Sequence, residues 1–238
     1  ESFSDYNNAK LIEFLSKYGF DFEFYSARDM YKGGFFNPTL IRLAPYLDEI
    51  KYIITHDYSL ERKNSYCPFL PIHKGKVINN VYNWLVHPEG KPEPFIQWFL
   101  DEKTSNPEYD DRRFAVTPIT DGHIKCQWKL DWAMRWIHLG VDYEMHGKDL
   151  LGSAQVGQKI CKAVGVIPPV TYMYELFLDE QGGKISKSKG NGFEFEEWVR
   201  YSPAESLRWF LYQNPRKSRK LHWDCVPQAT DGLIKESV

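Results

Sequence analysis

The hydrophobic pattern of the chain changes its period several times, and these changes predict the helices and strands. Apolar residues first recur at helical spacing over 4–18, which predicts a helix. Residues 20–24 then alternate phenylalanine with acidic residues, a period of two that predicts a strand. A short helix is expected from Ser26, and a longer one over 37–54 with a bend near Pro45. This first part predicts helix–strand–helix, one unit of an α/β fold.

The middle of the chain has a different character. Over 57–122, prolines and asparagines are frequent and the apolar runs are short. Strands are predicted there at 76–86, 95–100 and 113–117, separated by stretches that are typical of loops. The pattern favours a β-rich insertion rather than a continuation of the α/β unit.

From residue 123 onward, the longer helical and strand periods return. A helix is predicted over 128–139, a strand over 141–146, a helix over 150–164 and a strand over 172–178. A strand–helix–strand order predicts parallel strands with a right-handed connection. The last part of the chain predicts two helices and a basic stretch, at 194–200, 203–213 and 216–220.

Composition narrows the classes of function. The 238 residues are 42% hydrophobic and 16% aromatic, enough for a sizeable core and for aromatic-lined pockets. The formal net charge is −2, so any contact with nucleic acid has to depend on a local basic patch. No apolar run could span a bilayer, and no signal peptide is visible. Four scattered cysteines without a Cys-x-x-Cys pair favour reduced cytosolic thiols over disulfides or a zinc site.

Two polar motifs predict a nucleotide site. The segment 183–192 carries three lysines and two serines between glycines, a combination that suits a polyphosphate. The turn 146–149 follows a predicted strand, and there Gly147 allows close backbone approach while Asp149 can accept a hydrogen bond from a ribose hydroxyl. Ligands of open parallel sheets bind at the carboxyl ends of strands, so we expect both motifs at one ligand. Taken alone, each also fits a simpler interpretation, a solvated basic loop or a capped helix start.

Four segments of the chain run from Gly122 to Trp136, Leu139 to Asp149, Tyr174 to Phe177, and Lys184 to Asn191. In their order and spacing they resemble class I lysyl-tRNA synthetases. The loop Lys-Ile-Ser-Lys-Ser differs by one residue from the Lys-Met-Ser-Lys-Ser signature of class I synthetases. The resemblance is strongest over 122–214 and weaker but consistent over 1–72, and it is closest to the bacterial type without cysteine zinc clusters.

The resemblance implies the fold and the domain organisation. The expected fold is α/β, with a Rossmann-like parallel sheet that is incomplete at its N-terminus, a β-rich insertion and a helical C-terminal extension. Residues 1–56 would belong to the first half of the catalytic domain and 57–122 to the connective insertion. Residues 123–192 would form the second half with the signature loop, and 193–238 a helical segment that leads to an anticodon-binding domain.

The resemblance also implies a function. The expected enzyme is a ligase that activates lysine with ATP as lysyl-adenylate and transfers it to tRNA(Lys). ATP would be bound with Mg²⁺, and no zinc is expected in this chain. The expected partners are lysine and tRNA(Lys), without membrane or DNA, and the expected compartment is the cytoplasm.

The functional residues of the family can be carried over position by position. Lys184 and Lys187 match the catalytic lysines, whose charge would stabilise the leaving pyrophosphate. A pocket for a lysine side chain needs an apolar or π-rich sleeve for the methylenes and an acid or carbonyl near the ammonium. Asp131 is an additional candidate for the acid. The implied ATP site comprises Gly147, Asp149, Lys184, Ser186, Lys187 and Ser188. The implied lysine pocket comprises Trp128, Tyr174, Glu175 and His146, and no metal ligands are implied.

Two departures from the family pattern leave alternatives open. The second class I signature, His-Ile-Gly-His, is absent, and we expect it upstream of Glu1; without it this fragment would be inactive alone. Leu150 stands where many members have a histidine, which His146 can partly replace. One alternative is a non-catalytic synthetase-like module that binds RNA or regulates. Others are a class I synthetase for another amino acid, such as glutamate or cysteine, and a generic phosphate-binding domain.

Overall fold

The computed structural model divides the chain into two compact units, Glu1–Met134 and Arg135–Val238. Both combine helices with small sheets, so the fold is mixed α/β, as the sequence predicts. The division into four segments stays a prediction. The structure describes residues 3–79, 83–91, 93–99, 114–185, 190 and 192–237.

The first unit begins with five helices. Two of the predicted helices, at 4–18 and from Ser26, are confirmed. The long helix predicted over 37–54 is also confirmed, together with its bend. There the 3₁₀ turn Ala44–Tyr46 separates two helices, because a proline has no backbone N–H to donate. The helices are α1 (Phe3–Lys17), α2 (Ala27–Lys32), α3 (Asn37–Leu43), α4 (Leu47–Thr55) and α5 (Leu60–Ser65).

Two features of these segments differ from the expectation. The strand predicted at 20–24 is wrong: this stretch belongs to no strand, and Phe20 and Phe24 are exposed. A period of two makes a strand only where a neighbour supplies backbone partners, and no described strand pairs with it. Helix α5 was not predicted, although Ser59 Oγ accepts a hydrogen bond from the Arg62 backbone N–H, the cap that starts such a helix.

Six short strands follow in two antiparallel sheets, with the strand orders β2-β1-β6 and β3-β4-β5. The strands predicted at 95–100 and 113–117 are confirmed. The strand predicted at 76–86 corresponds to β2 and β3, and residues 80–82 between them lie outside the described residues. The strands are β1 (Phe69–His73), β2 (Lys76–Val77), β3 (Asn83–Val86), β4 (Phe95–Phe99), β5 (Phe114–Pro118) and β6 (Ile124–Cys126).

Helix α6 (Trp128–Leu139) has the predicted bounds, and it begins in the first unit and ends in the second. The second unit then contains a strand–helix–strand crossover whose two strands are parallel, which confirms that prediction. The strand predicted at 172–178 is divided in two, and its second part pairs in parallel with a later strand. The remaining elements are β7 (Tyr143–Gly147), α7 (Leu151–Ala163), β8 (Val170–Tyr174), β9 (Phe177–Leu178), α8 (Phe195–Val199), α9 (Ala204–Tyr212), β10 (Arg219–Lys220) and α10 (Cys225–Glu236).

The described parallel pairs, β7-β8 and β9-β10, have two strands each. The Rossmann-like sheet therefore stays an expectation, while the mixed α/β class stands. No described helix is long and apolar enough to cross a membrane. All four cysteines are free and buried, and burial raises the pKa of the Cys161 thiol to about 11. Buried free cysteines behave as small hydrophobic side chains.

A hydrogen-bonded group in the core ties three elements of the first unit together. The Tyr31 hydroxyl donates to Asp131 Oδ1 at 2.7 Å and accepts from the backbone N–H of Cys126 at 3.1 Å. Asp131 is only 3% exposed, so its carboxylate needs this partner. Burial raises the pKa of Tyr31, and the hydroxyl therefore stays protonated and able to donate.

The second unit has a separate core around its last three helices. Trp198 of α8 is fully buried and packs with Phe210, Val226 and Ala229. Its indole Nε1–H donates to Ser206 Oγ at 2.8 Å, so the polar atom of this large ring is satisfied inside the core. Helices α8, α9 and α10 thereby form one packed group after the lysine loop.

Replacing glycine by alanine should change the free energy of unfolding in opposite directions at two positions of α7. A Cβ at Gly157 would lie 2.7 Å from Trp136 Cζ3, whereas a Cβ at Gly152 meets nothing within 4 Å. We expect Gly157→Ala to lower the free energy of unfolding by about 1–3 kcal/mol through overpacking. Gly152→Ala should raise it by roughly 0.5–1 kcal/mol, because alanine favours the helix. Urea unfolding of both variants measures the difference, and equal effects would contradict this packing of α7 against Trp136.

Candidate functional site

Two strands of the second unit end side by side. Strands β7 and β8 are parallel, and their register places His146 opposite Met173 and Gly147 opposite Tyr174. The 3₁₀ turn Lys148–Leu150 follows β7 and leads into α7. The carboxyl ends of both strands therefore share one edge, which is where parallel sheets bind their ligands.

Position 147 needs a glycine because neighbouring side-chain atoms lie where a Cβ would be, not because its backbone angles exclude other residues. Its φ is −67°, a value open to any residue. A Cβ at this position would lie 2.7 Å from Asp149 Oδ1 and 3.6 Å from the Tyr174 ring. The absence of a side chain thus lets the Asp149 carboxylate fold back against the end of the strand.

Lys184 reaches the same edge from the start of the lysine loop. It forms a β-bridge with Leu178, and the turn between them is closed by Asp179, whose Oδ1 accepts from the Gly183 N–H at 2.6 Å. Lys184 Nζ lies 3.8 Å from Asp149 Oδ2. Both side chains are at least half exposed, so the ion pair is weak and can be exchanged for contacts with a ligand.

A groove of about 360 Å³ lies beside this ion pair. Its walls are mostly apolar, with one carboxylate and one ammonium group. Apolar walls suit the faces of a nucleotide base, the carboxylate suits a ribose hydroxyl, and the ammonium suits a phosphate. The lining residues are Asp149, Leu176, Phe177, Lys184, Ile185, Gly192, Phe193 and Leu221.

The structure brings together three of the residues predicted for the ATP site, Gly147, Asp149 and Lys184. The other three, Ser186, Lys187 and Ser188, lie outside the described residues. No group of three or more His, Cys, Asp or Glu side chains that could hold a metal ion occurs among the residues described.

Glu175, predicted for the lysine pocket, is held by two neighbouring side chains. Lys148 Nζ donates to its Oε1 at 2.8 Å, and Ser218 Oγ donates to its Oε2 at 3.0 Å. The hydrogen bond from Lys148 is the main reason why the pKa of Glu175 is lowered. A carboxylate has about four acceptor positions, so Glu175 keeps acceptor capacity for a further donor.

The other residues predicted for the lysine pocket have different environments. Tyr174 is partly exposed beside Gly147. His146 is buried, and its Nδ1 lies 3.0 Å from the Gly147 carbonyl oxygen, a position that fits an Nδ1–H donor. Trp128 belongs to the first unit and is 53% exposed. Asp131, the additional acid considered, is the core partner of Tyr31.

Sequence reasoning missed Lys148 and Ser218. They lie 27 and 43 residues from Glu175 along the chain, so no local pattern marks them as its partners. It also missed a second cavity, of about 220 Å³, in the first unit. Trp128 forms part of the wall of this cavity.

Comparison with known proteins identifies relatives of the chain. The family model described as tRNA synthetases class I (K) matches residues 1–236. A "Lysine--tRNA ligase" of Rickettsia felis is 43% identical over 238 residues, which is 98% of this chain and 42% of the relative. Proteins of the same description from Rickettsia bellii and Rickettsia rickettsii are also 43% identical, over 98% of this chain and 43% of each relative. The chain thus spans less than half the length of these curated relatives.

The contacts of Glu175 predict how it titrates. Its lowered pKa means that the carboxylate adds stability at pH values above the ordinary glutamate pKa, and this is lost as the pH falls through the lowered pKa. We expect Lys148→Met to move the pKa of Glu175 upward, and Ser218→Ala to move it less. Titration followed by ¹³C NMR of labelled glutamate measures both shifts. An unchanged pKa in Lys148→Met would contradict the assigned cause.

Proposed function

Since the chain belongs to the class I tRNA synthetase family described as (K), we propose that the full protein is an ATP-dependent lysine–tRNA ligase. Lysine and ATP give lysyl-adenylate and pyrophosphate, and the lysyl group then passes to tRNA(Lys). The observation that carries the proposal is the grouping of Gly147, Asp149 and Lys184 at one groove, on the segments that carry the family signatures.

The proposed first step is nucleotidyl transfer. An oxygen of the lysine carboxylate attacks the α-phosphorus of ATP, the bond from that phosphorus to the bridging oxygen breaks, and pyrophosphate leaves with the electron pair. The protein orients the reactants and neutralises the charge that grows on the leaving group. Magnesium enters with ATP as part of the substrate, bound to its phosphates.

Different groove residues would bind the base, the ribose and the phosphates of ATP, according to their chemistry. The apolar wall that includes Phe177 and Leu221 would enclose the base, and Asp149 would accept from a ribose hydroxyl. Lys184 would then leave its weak contact with Asp149 and bind a phosphate oxygen. The signature loop, with Ser186, Lys187 and Ser188, would complete the phosphate contacts, and Lys187 together with Lys184 would carry the catalytic charge.

The lysine substrate needs a sleeve for its methylenes and an acceptor for its ammonium. Tyr174 would supply part of the sleeve, and the assignment of Trp128 to this pocket stays a prediction from the sequence. Glu175 would accept the ammonium with the acceptor positions that Lys148 and Ser218 leave open. His146 would act indirectly, by fixing the backbone at Gly147.

We also propose the finer organisation that the family implies. The parallel pair β7-β8 would be part of a Rossmann-like catalytic sheet, and the antiparallel strands of 57–122 would belong to a connective insertion. The protein would work in the cytoplasm, where tRNA is charged.

A pyrophosphate exchange assay tests which amino acid the protein activates. The full-length protein, incubated with ATP, labelled pyrophosphate and one amino acid at a time, should exchange label with lysine. The reaction also contains tRNA(Lys), and the exchange of label reports the reversible formation of the adenylate. Exchange with glutamate in place of lysine would overturn the lysine assignment, and the absence of exchange with any amino acid would favour a non-catalytic module.

Lys187→Ala tests the role proposed for the signature loop. If the charge of Lys187 acts mainly on the transition state, its removal should lower the exchange rate about 100-fold or more and change lysine affinity little. Rates come from exchange kinetics in the full-length protein, and affinity from equilibrium binding of lysine. Lys162→Ala, an exposed lysine on α7, is the matched control and should leave both unchanged. Equal losses of rate and affinity in Lys187→Ala would contradict a transition-state role.

A further inference from the structure

The turn before the lysine loop, residues 179–183, is held closed by one acidic residue, Asp179. Its backbone N–H donates to the Gly183 carbonyl oxygen at 2.8 Å, and its own carbonyl oxygen accepts from the Gly182 N–H at 3.0 Å. Its side-chain Oδ1 accepts from the Gly183 N–H at 2.6 Å. Asp179 therefore binds this turn with its main chain and its side chain together, and a carboxylate is a strong acceptor for such a bond.

Both glycines of the turn fit this closure. Gly182 has a φ of 86°, a left-handed angle that glycine adopts without strain. At Gly183 a Cβ would lie 2.9 Å from Asp179 Oδ2 and 3.2 Å from its Oδ1. The carboxylate thus lies directly against the Gly183 backbone, and a side chain at this position would displace it.

The closed turn fixes the backbone of Lys184 relative to the core of the second unit. Lys184 forms an antiparallel β-bridge with Leu178 of β9. Strand β9 also pairs in parallel with β10, and the Leu221 N–H donates to the Leu178 carbonyl oxygen at 2.8 Å. The guanidinium carbon of Arg219 in β10 lies 4.1 Å from the centroid of the Phe210 ring, and this guanidinium donates to the Phe210 carbonyl oxygen. Lys184 is thereby tied to the packed helices of this unit.

This attachment matters because the side chain of Lys184 is long and has many rotamers. Its Nζ lies 3.8 Å from Asp149 Oδ2, at the groove proposed for ATP. The fold controls the position of such an ammonium mainly through the backbone from which the side chain extends. A displacement of about 1 Å in a catalytic group can lower a reaction rate on the order of 100-fold.

We propose that Asp179 is a positioning residue for adenylation: by closing the turn, its carboxylate holds Lys184 where the ammonium can reach the phosphates of ATP. This inference rests on the proposed function and adds to it a residue that does not contact the substrate. Asp179 is not among the described residues that line the groove, and its Oδ1 binds the turn. It therefore acts through Lys184 and not on the ligand.

The experiment measures lysine-dependent pyrophosphate exchange, with tRNA(Lys) present, in variants of the full-length protein. Asp179→Ala removes the acceptor of the Gly183 N–H and should lower the exchange rate at saturating ATP about 10- to 100-fold, with the KM for lysine changed less than about twofold. Asp179→Asn keeps an acceptor oxygen and should retain the rate to within about fivefold. Glu180→Ala, which changes an exposed acid of the same turn, is the matched control and should leave the rate unchanged.

A double-mutant cycle with Lys184 tests whether Asp179 acts through this lysine. In a Lys184→Ala background, Asp179→Ala should lower the rate less than about twofold further, because the ammonium that it positions is already absent. Gly183→Ala is an independent disruption of the same contact, because its Cβ would displace the Asp179 carboxylate, and it should lower the rate as Asp179→Ala does. Should Asp179→Ala fail to fold, Gly183→Ala takes its place in the cycle.

Other results would overturn the inference. Equal losses in Asp179→Asn and Asp179→Ala would assign the effect to the charge of the carboxylate and not to its hydrogen bond. Additive losses in the cycle would show that Asp179 and Lys184 act independently. If no amino acid supports exchange in wild type, the proposed function fails, and the same cycle is then measured on ATP affinity. Non-additive losses of affinity would support the positioning role, and additive losses or the absence of ATP binding would overturn it as well.

Discussion

The parallel pairing of β7 with β8 is the constraint on which the proposed nucleotide site depends. Its register places Gly147 opposite Tyr174, so two polar strand ends share one edge. The missing side chain at Gly147 then lets Asp149 fold back against the strand, where it meets Lys184 from the lysine loop. A shift of this register by one residue would turn the side chains of one strand to the opposite face and separate these groups.

Charge is distributed differently in the two units. In the second unit, each described cation of the site faces a carboxylate: Lys184 faces Asp149, and Lys148 faces Glu175. The exposed pair of Lys184 with Asp149 contributes little stability, so Lys184 can exchange partners when a substrate binds. In the first unit, Arg62 and Lys129 lie against the aromatic ring of Tyr58 instead, which holds their positions.

Local signals predicted the helices well and the strands less well. Helix α6 has the predicted bounds, and the bend at Pro45 follows from the chemistry of a single residue. The segment 20–24 shows the limit of such signals: its alternation is that of a strand, yet a strand requires a partner that only the folded chain can supply. The unpredicted strand β1 pairs with β6, more than fifty residues further along the chain, for the same reason.

The sequence by itself determined the family signatures, the order of most elements and the two motifs that meet at the groove. These follow from residue chemistry and from spacing within a few turns of chain. Only the tertiary structure decided that Lys148 and Ser218 hold Glu175, and that Lys129 joins Arg62 at Tyr58. Lys148 and Ser218 lie 27 and 43 residues from Glu175 along the chain. Lys129 lies 71 residues from Tyr58, whereas Arg62 is close to Tyr58 in sequence. No periodic pattern reaches across such separations, because these contacts depend on how whole elements pack.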